Sequence, residues 1–544
     1  MRPHNISPRG VPEPVSTQVA SSGLRDPFLW GALALGFAFR WYRIDVPYVD
    51  AHSWRQVTNA DIARLWTELP INPLYPQVSW GGPDGYAGLE FPLLHLVTAI
   101  VWRIVGVSDA AGRLVAVAFS LAAVWMIYLL GRRLFSVAVG RGAAFLLAFS
   151  PSFVYFGRTL LSDVPMVTFS IGAVLGYAAY FQTNRRLHAI GGAVCLAFAG
   201  LTKVPAILIL GPIVWLGWLA RRWRLVRDTE FVVGLIVAFG SIAAWYLHAD
   251  RIYLETGLTQ AIFRPSSRYT GEIAAYSGFF TTVSHWTTWG DPENPARIRD
   301  ILSRFLHMHL TPIGAIGVAL GFLRFRTPRR TVLDVWLLAA ISLLAVSLVG
   351  QYFHEFHQLP FHPPLALFFG LGMQPLFAWE QWPIALERRR LAGSLAALMF
   401  AVLSGVAVWS FLGSSIFLLY RNAYINTPLI DAGRAIEQAT PRGSLLVVVE
   451  YDRAGSNSPM LLYYAHRRGW SFDATSIRPT VVDYLRDKRG ACYFATSGWP
   501  LIEALEPETA RHVQAAFKEI PLPGINAEYR LFDLGCGQPS PTAD

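Results

Sequence analysis

Charged residues are scarce in this chain of 544 residues. Only 15% of the residues are Asp, Glu, Lys or Arg, whereas 53% are hydrophobic and the mean hydropathy is +0.36. Soluble globular proteins carry about 25% charged residues. The shortage excludes a chain that faces water throughout and indicates that much of the sequence faces lipid.

Several familiar sequence signals are absent. No small-residue cleavage site follows the first apolar run, so the run is a retained anchor rather than a signal peptide. The C-terminal part has no glycine-rich phosphate loop, which excludes the usual nucleotide site, and we expect no cofactor. The chain has no HExxH motif and no internal repeat.

Apolar runs instead recur through the first three quarters of the sequence, and runs of about 20 residues can cross a bilayer. We predict 11 crossings, with 12 or 13 open. The runs cover residues 28–39, 114–130, 142–156, 164–181, 188–201, 204–219, 231–247, 310–323, 332–350, 361–377 and 391–419.

Arginines cluster between these runs, and basic residues in short loops mark the cytoplasmic side. One alternating topology fits all clusters and places residues 45–90, 249–307, 351–360 and the region from about 420 outside. The net charge of +10 then follows the membrane topology and does not imply a nucleic acid partner. The clusters are Arg132/Arg133/Arg141, Arg185/Arg186, Arg221/Arg222/Arg224/Arg227, Arg324/Arg326/Arg329/Arg330 and Arg388/Arg389/Arg390.

Three parts of the chain follow from this pattern. Residues 1–26 form a disordered tail, residues 27–419 a transmembrane domain, and residues 420–544 an extracytoplasmic α/β domain. Segment 91–106 contains His95 and Arg103, so we expect it to lie in the outer leaflet rather than to span.

The C-terminal domain shows helices that alternate with apolar strands. Helices are predicted at 427–440 and 460–468, and strands at 444–450, 491–496 and 529–534. Cys492 and Cys536 lie near these strands and are either a disulfide or two buried thiols. Cys195 lies in a span and is interpreted as a packing residue.

Asp50 follows the first span directly, in the sequence Tyr48-Val-Asp-Ala-His-Ser-Trp-Arg-Gln56. A carboxylate beside His52 and Arg55 at the outer surface is a candidate general base, and a helix cap is the alternative. Apolar residues in 54–69 share one helical face, which predicts a helix that lies flat on the membrane.

A second candidate group lies at later outer turns. Arg158 and Asp163 form either an ion pair or a phosphate ligand with an acid that orients the acceptor. Lys203 is one of three lysines in the chain and is expected at the outer face, where it either binds a phosphate or extends to the interface.

The outer turn 351–364 is rich in polar side chains. His354 and His357 are three residues apart, which places them on one face if the turn is helical. Zinc would require further ligands, so hydrogen bonding to a phosphate or sugar is favoured and no metal is predicted.

In this order, the motifs resemble those of the GT-C superfamily of glycosyltransferases, and in particular the protein O-mannosyltransferases and the aminoarabinose transferases that modify lipid A. The acidic motif of the first external loop matches Asp50, with Ala51 in place of a second acid. The other resemblances are at Glu90 in the segment 89–93, Arg158, Asp163, Lys203, the turn 354–360 and the segment 461–470.

The resemblance implies a multi-pass enzyme of the plasma membrane with its active site on the extracytoplasmic face. The donor would be a sugar on a polyprenyl phosphate, and the acceptor a protein, lipid or glycan. Asp50 would take the acceptor's proton in an inverting reaction, with Asp163 as a second catalytic residue. Donor-binding residues would be His52, Arg55, Glu90, Arg158, Lys203, His354 and His357.

Two other classes remain open at this point. A transporter or flippase should show broken helices in matched halves and acids near mid-membrane, whereas the polar groups here gather on one face. A non-catalytic scaffold would not need Asp50, Asp163 and Lys203 at the same face. The arginine-rich, lysine-poor composition points to a bacterial source.

Overall fold

The computed structural model describes residues 26–258, 291–324, 327–382, 426–450 and 458–535, with isolated positions between 394 and 409. Residues 1–25 of the predicted tail, most of the external segment 249–307 and most of the run 391–419 lie outside the described residues. Within them, a helical bundle is followed by a small sheet domain, as the sequence predicts.

The first half of the bundle contains ten helices. Short 3₁₀ turns at Val204–Ile209 and Arg222–Arg227 flank α9. The helices are α1 (Pro27–Trp41), α2 (Ser53–Glu68), α3 (Leu93–Val105), α4 (Asp109–Leu134), α5 (Val137–Phe149), α6 (Pro151–Phe156), α7 (Asp163–Thr183), α8 (Arg186–Thr202), α9 (Leu210–Arg221) and α10 (Thr229–Thr256).

The second half continues beyond the external segment. A π-helical turn at Phe305–Leu310 and 3₁₀ turns at Glu355–Phe361 and Trp379–Gln381 interrupt it. Its helices are α11 (Asn294–Arg304), α12 (Thr311–Leu323), α13 (Thr331–Val346), α14 (Leu348–Phe353), α15 (His362–Gly372) and α16 (Gln374–Phe377).

Five helical stretches in the described ranges are long and apolar enough to cross a membrane: Asp109–Leu134, Asp163–Thr183, Val204–Arg227, Thr229–Thr256 and Asn294–Leu323. Segment 91–106 forms the 13-residue α3, which is about 20 Å long and therefore shorter than the ~30 Å hydrocarbon core. That length agrees with a helix that does not span. The number of crossings stays a prediction.

Glycines allow these helices to approach closely. A Cβ on Gly176 of α7 would lie 2.6 Å from the Cα of Gly192 in α8, and one on Gly142 of α5 would lie 2.8 Å from the Cα of Gly370 in α15. Small residues at such crossings are typical of membrane helices, where packing replaces the hydrophobic effect as the main source of association.

The described arginine clusters meet at one end of the bundle. Arg186 pairs with Glu230 (2.9 Å), Arg141 with Asp26 (2.8 Å), and Arg329 donates to the carbonyl oxygen of Leu134 (3.3 Å). The opposite end carries Asp50, the start of α7 and the end of α8. The bundle therefore has one basic end and one end at which the candidate site residues lie.

The C-terminal domain is a five-stranded mixed sheet with strand order β2-β1-β3-β5-β4. Strands β1, β2 and β3 are parallel, and β5 runs antiparallel to both β3 and β4. Its elements are α17 (Thr427–Ala439), β1 (Leu445–Val449), α18 (Met460–Tyr464), β2 (Arg468–Phe472), α19 (Pro479–Arg489), β3 (Ala491–Thr496), α20 (Trp499–Leu505), α21 (Pro507–Ala516), β4 (Lys518–Ile520) and β5 (Arg530–Asp533).

One predicted helix in this domain is wrong. The helix expected over 460–468 ends at Tyr464, and Arg468 begins strand β2. Gly469 allows β2 to pair with β1, because a Cβ there would lie 1.8 Å from the carbonyl oxygen of Leu446. Cys492 is disulfide-bonded and Cys195 is a free thiol, whereas Cys536 lies outside the described residues.

The first external loop pairs with the edge of this sheet. Gly82 N–H donates to the carbonyl of Gly469 (2.6 Å), and Gly469 N–H donates to the carbonyl of Ser79 (2.8 Å). Gly82 has φ +81°, and a Cβ there would lie 2.8 Å from the Trp470 ring, so this position requires glycine. The sheet domain is therefore docked on the loop that carries Asp50.

This docking corrects the expectation of a helix lying flat on the membrane. Helix α2 is buried almost continuously from Gln56 to Trp66, because α3 and the C-terminal α18 pack against it. Two of its charged residues are neutralised inside the protein: Asp61 pairs with Arg64 (3.2 Å) and accepts the Ser79 N–H (2.9 Å). The polar face of α2 is thus covered by protein and not by water.

Candidate active site

Asp50 lies in the turn between α1 and α2 and is 5% exposed. Its Oδ1 accepts a hydrogen bond from Gln56 (2.6 Å) and pairs with Arg113 (3.2 Å), and its Oδ2 accepts a longer bond from Tyr155 (3.3 Å). Asp50 makes no described cap of α2, whose N-cap residue is His52. The carboxylate is thus held in place with Oδ2 only weakly engaged.

Arg113 fixes this arrangement from helix α4. The side chain is fully buried and donates to the carbonyl oxygens of Val46 (3.0 Å), Pro47 (3.1 Å) and Arg158 (3.4 Å) as well as to Gln56 (3.2 Å). A buried guanidinium is stable only when its donors are satisfied and its charge is compensated. Arg113 therefore joins the loop, α4 and the turn after α6.

Asp163 pairs with Lys203 rather than with Arg158, which overturns the interpretation of an Arg158–Asp163 ion pair. The Lys203 Nζ lies 2.7 Å from Asp163 Oδ1, and both side chains are largely buried. Arg158 instead donates to the carbonyl oxygens of Tyr42 and Arg43 at the end of α1, the latter at 2.9 Å. Arg158 therefore holds the backbone at the end of α1.

His52 pairs with a carboxylate that sequence reasoning did not select. Its Nε2 lies 2.9 Å from Glu355 Oε2, and the two side chains are 19% and 24% exposed. Arg304 also approaches Glu355, at 3.6 Å. His52 has a left-handed backbone (φ 57°), which is uncommon for a residue other than glycine.

The ring of Phe356 lies at the centre of the candidate site. The cation of Lys203 lies 5.0 Å from the ring centroid, within the range of a cation–π contact. Four aromatic rings surround Phe356 at centroid distances of 4.7–6.0 Å: His357, His52, His354 and Phe156. Residues predicted separately from two external turns and the end of α8 are thus brought together.

The two histidines of the 354–357 turn are neutral at neutral pH. Burial, with the nearby cations of Arg55 and Lys203, lowers the pKa of His354 to about 3 and holds that of His357 well below its usual range. The Nδ1 atom of His354 is buried and has no hydrogen-bond partner among the described residues. A neutral imidazole with an unsatisfied nitrogen is suited to hydrogen bonding with a ligand.

Arg55 and Glu90 border this cluster. The Arg55 guanidinium lies 4.7 Å from the ring centroid of Trp54 and is close enough to His354 and Asp163 to influence both electrostatically. Glu90 influences Asp163 in the same way, and the neighbouring Phe91 N–H donates to the Leu201 carbonyl near the end of α8 (2.9 Å). Both residues therefore lie near the Lys203–Asp163 pair.

No group of three or more His, Cys, Asp or Glu side chains in the described part of the chain could hold a metal ion. Sequence reasoning missed Arg113, Tyr155, Glu355 and Arg304. Arg113 had a usable signal, because an arginine inside an apolar helix is rare unless it is paired. Glu355 lies in the polar turn 351–364, but its partner His52 is 303 positions away. Tyr155 and Arg304 had no local signal, since their partners are 105 and 48 residues away in sequence.

These features define a polytopic membrane protein with a cluster of paired charges at the end of its helical bundle. The family model described as dolichyl-phosphate-mannose-protein mannosyltransferase matches residues 90–248. No curated protein matches the chain.

Solved structures give matches over nearly the whole chain. ArnT from Cupriavidus metallidurans in the apo state is 16% identical, with 95% of this chain and 98% of that chain covered and a TM-score of 0.61. The same protein bound to undecaprenyl phosphate is 16% identical, with 95% and 99% covered and a TM-score of 0.58. The apo oligosaccharyltransferase from Archaeoglobus fulgidus is 11% identical, with 92% and 74% covered and a TM-score of 0.54.

The chain therefore has the fold of these membrane transferases, and its resemblance to the GT-C superfamily is confirmed. The predicted fold class, a multi-pass helical membrane domain followed by a small sheet domain, is confirmed as well.

The Arg113–Asp50 pair generates a stability prediction. Arg113→Met leaves the Asp50 carboxylate buried without its countercharge, and breaking one side of a buried pair costs about 3–5 kcal/mol. Adding Asp50→Asn removes the unpaired charge, so the double variant should unfold at a higher temperature than Arg113→Met alone. Thermal unfolding of all variants in one detergent measures this.

Arg297→Met is the matched control, because its partners Asp291 and Glu293 lie near the surface. We expect its melting temperature to stay close to that of the unsubstituted protein. Equal melting temperatures for Arg113→Met and Arg297→Met would contradict a central role for the buried pair.

Proposed function

We propose that this protein is an integral membrane glycosyltransferase that transfers a sugar from a polyprenyl-phosphate-linked donor to an acceptor. The observation that carries the proposal is the cluster around Phe356, where Lys203, His52 and His354 meet at the end of an apolar bundle. A lipid phosphate has the matching chemistry, because its tail prefers lipid and its headgroup prefers cationic hydrogen-bond donors.

The relatives of similar fold support this donor class. One of the ArnT structures is described as bound to undecaprenyl phosphate, and one oligosaccharyltransferase structure as a complex with an inhibitory peptide and a dolichol-phosphate. In our proposal Lys203 and Arg55 bind the phosphate, and the histidines of the 354–357 turn hydrogen-bond to the phosphate or sugar. Glu90 and Asp163 orient the sugar and acceptor at the edge of this site.

The reaction that we propose is inverting. Asp50 accepts the proton of the acceptor while the acceptor oxygen attacks the anomeric carbon, and the lipid phosphate leaves. The weakly engaged Oδ2 of Asp50 is the atom available for this proton. Arg113 and Gln56 hold the opposite oxygen, so the carboxylate keeps one orientation during the reaction.

We place the candidate site on the extracytoplasmic face of the plasma membrane of a bacterium. The arginine clusters gather at the opposite end of the bundle, as expected for a cytoplasmic side. The disulfide-bonded Cys492 fits a domain in an oxidising compartment. Nucleotide sugars are not available on that side, which accounts for a lipid-carried donor.

The first test concerns the base. Asp50→Asn keeps the size of the side chain and its bond from Gln56 but removes the proton acceptor. We expect a lower melting temperature, because Arg113 loses its countercharge. The folded variant should still bind donor, with transfer reduced by about 10²–10⁴, the usual contribution of general-base catalysis. Radiolabelled sugar transfer from polyprenyl phosphates by the purified protein measures it. If Asp50→Asn retains most of the activity, Asp163 becomes the candidate general base.

The second test concerns the phosphate. Lys203→Met should weaken binding of undecaprenyl phosphate by about 1.5–3 kcal/mol, roughly 10- to 150-fold, because one charge-assisted contact is lost. The double variant with Asp163→Asn removes the unpaired acid, so it should recover stability but not binding. Arg158→Met should reduce stability and leave affinity unchanged. Full affinity in the Lys203→Met protein would exclude Lys203 from the site.

The third test concerns sidedness. In a Cys195→Ala background, Glu508→Cys is exposed in the sheet domain, whereas Thr183→Cys is exposed at the basic end of α7. A membrane-impermeant maleimide should label the first variant in intact cells and the second only after permeabilisation. The reverse pattern would reject the proposed topology.

A further inference from the structure

Glu355 has no role in the reaction described above, although its carboxylate lies inside the candidate site. It is paired with His52, and the hydrogen bond engages His52 Nε2. The other ring nitrogen, Nδ1, has no hydrogen-bond partner among the described residues, and 19% of the side chain is exposed. One ring nitrogen of His52 is thus held by Glu355, while the other is available to a ligand.

This pair differs from the two other acid–base pairs of the site. Asp50 and Asp163 are each paired with a side chain that is positively charged at neutral pH, Arg113 and Lys203. Imidazole is the one basic group in these three pairs whose unperturbed pKa lies near neutral pH. A carboxylate that binds one imidazole nitrogen and leaves the other free is the arrangement in which histidine transfers protons in many enzymes.

We propose that His52 donates its Nδ1 proton to the departing lipid phosphate and that Glu355 is the positioning residue that keeps His52 oriented and protonated. The inference rests on the proposed glycosyltransferase function and assigns one step within it. A phosphate monoester binds its second proton with a pKa of about 6, so an imidazolium is a matched donor.

The step balances with the groups already described. The bond between the anomeric carbon and the phosphate oxygen breaks, and its electron pair stays on that oxygen. The acceptor oxygen forms the new bond to carbon and gives its proton to Asp50. His52 transfers one proton to the phosphate. Exchange of one proton between Asp50, water and His52 then restores both residues.

The charged groups around the His52–Glu355 pair support a proton-donating role for His52. Glu355 is ionised at neutral pH: burial raises its pKa, but the hydrogen bond and charge of His52, together with Arg304, outweigh burial and hold the pKa below its usual value. Arg304 lies 3.6 Å from Glu355, and the ring of the neutral His354 lies 5.7 Å from the ring of His52. The carboxylate of Glu355 is therefore the described anionic partner of His52.

Binding of undecaprenyl phosphate to the full-length protein in nanodiscs, measured from pH 5.5 to 8.5, tests the proposal. Glu355→Gln keeps the shape of the side chain but removes its charge. We expect this variant to bind at least about tenfold more weakly at pH 7.5 and to regain affinity as the pH falls towards 6, because a lower pH favours a protonated imidazole. Glu355→Asp should preserve part of the affinity at pH 7.5.

His52→Gln separates this effect from the ionisation of the phosphate itself. The variant should bind weakly at every pH, and any pH dependence that remains belongs to the ligand. Glu437→Gln is the matched control, because Glu437 forms an equivalent 2.9 Å pair with His466 in the sheet domain. Its binding curve should coincide with that of the unsubstituted protein.

Two outcomes would overturn this inference and leave the proposed function intact. The first is a Glu355→Gln binding curve that coincides with that of the unsubstituted protein. The second is a Glu355→Gln variant that loses affinity equally at all pH values, which would indicate a purely structural role. Failure of the unsubstituted protein to bind undecaprenyl phosphate at any pH would overturn both the proposed function and this inference.

Discussion

The buried ion pair between Arg113 and Asp50 is the interaction on which the arrangement of the site depends. Arg113 comes from an apolar helix and reaches the loop between α1 and α2, where it also binds the carbonyl oxygens of Val46 and Pro47. A buried charge that loses its partner is strongly destabilising, so the loop has little freedom to leave this position. Because His52 follows Asp50 by two residues, its place beside Glu355 follows from the same constraint.

The other two pairs also place a basic group next to an acid, and the His52–Glu355 pair is partly exposed. Lys203 with Asp163 and His52 with Glu355 each place an acid next to a base, so the cluster carries charge without a large unpaired excess. Such pairs can exchange partners when an anion enters. A phosphate that approaches Lys203 or His52 replaces part of the acid's role, which lowers the cost of moving the anion out of water. The docked sheet domain covers α2 and keeps this end of the bundle ordered.

Much of this architecture was predictable from the sequence, because its signals are local. The deficit of charge and the apolar runs indicate a membrane domain, and the strand Ala491–Thr496 has the bounds that its β-branched and aromatic residues suggest. Polar residues between the apolar runs, such as Asp50 and Lys203, stood out for the same reason.

The pairings were not predictable, because they join residues far apart in the chain. His52 and Glu355 are 303 positions apart, and no periodicity or motif connects them. The contact between Gly82 and Gly469 likewise depends on tertiary docking. Pairing with β1 makes the stretch from Arg468 a strand, although the sequence there resembles a helix. Tertiary contacts override local preference at such positions.

The central claim is that one lipid phosphate binds among these pairs, and a cryo-electron microscopy structure of the protein in nanodiscs with undecaprenyl phosphate tests it most directly. The account predicts density for the phosphate within hydrogen-bond distance, about 2.7–3.2 Å, of Lys203 Nζ and His52 Nδ1. Phosphate density at the opposite end of the bundle, beside the arginines near Arg133 and Arg186, would contradict it.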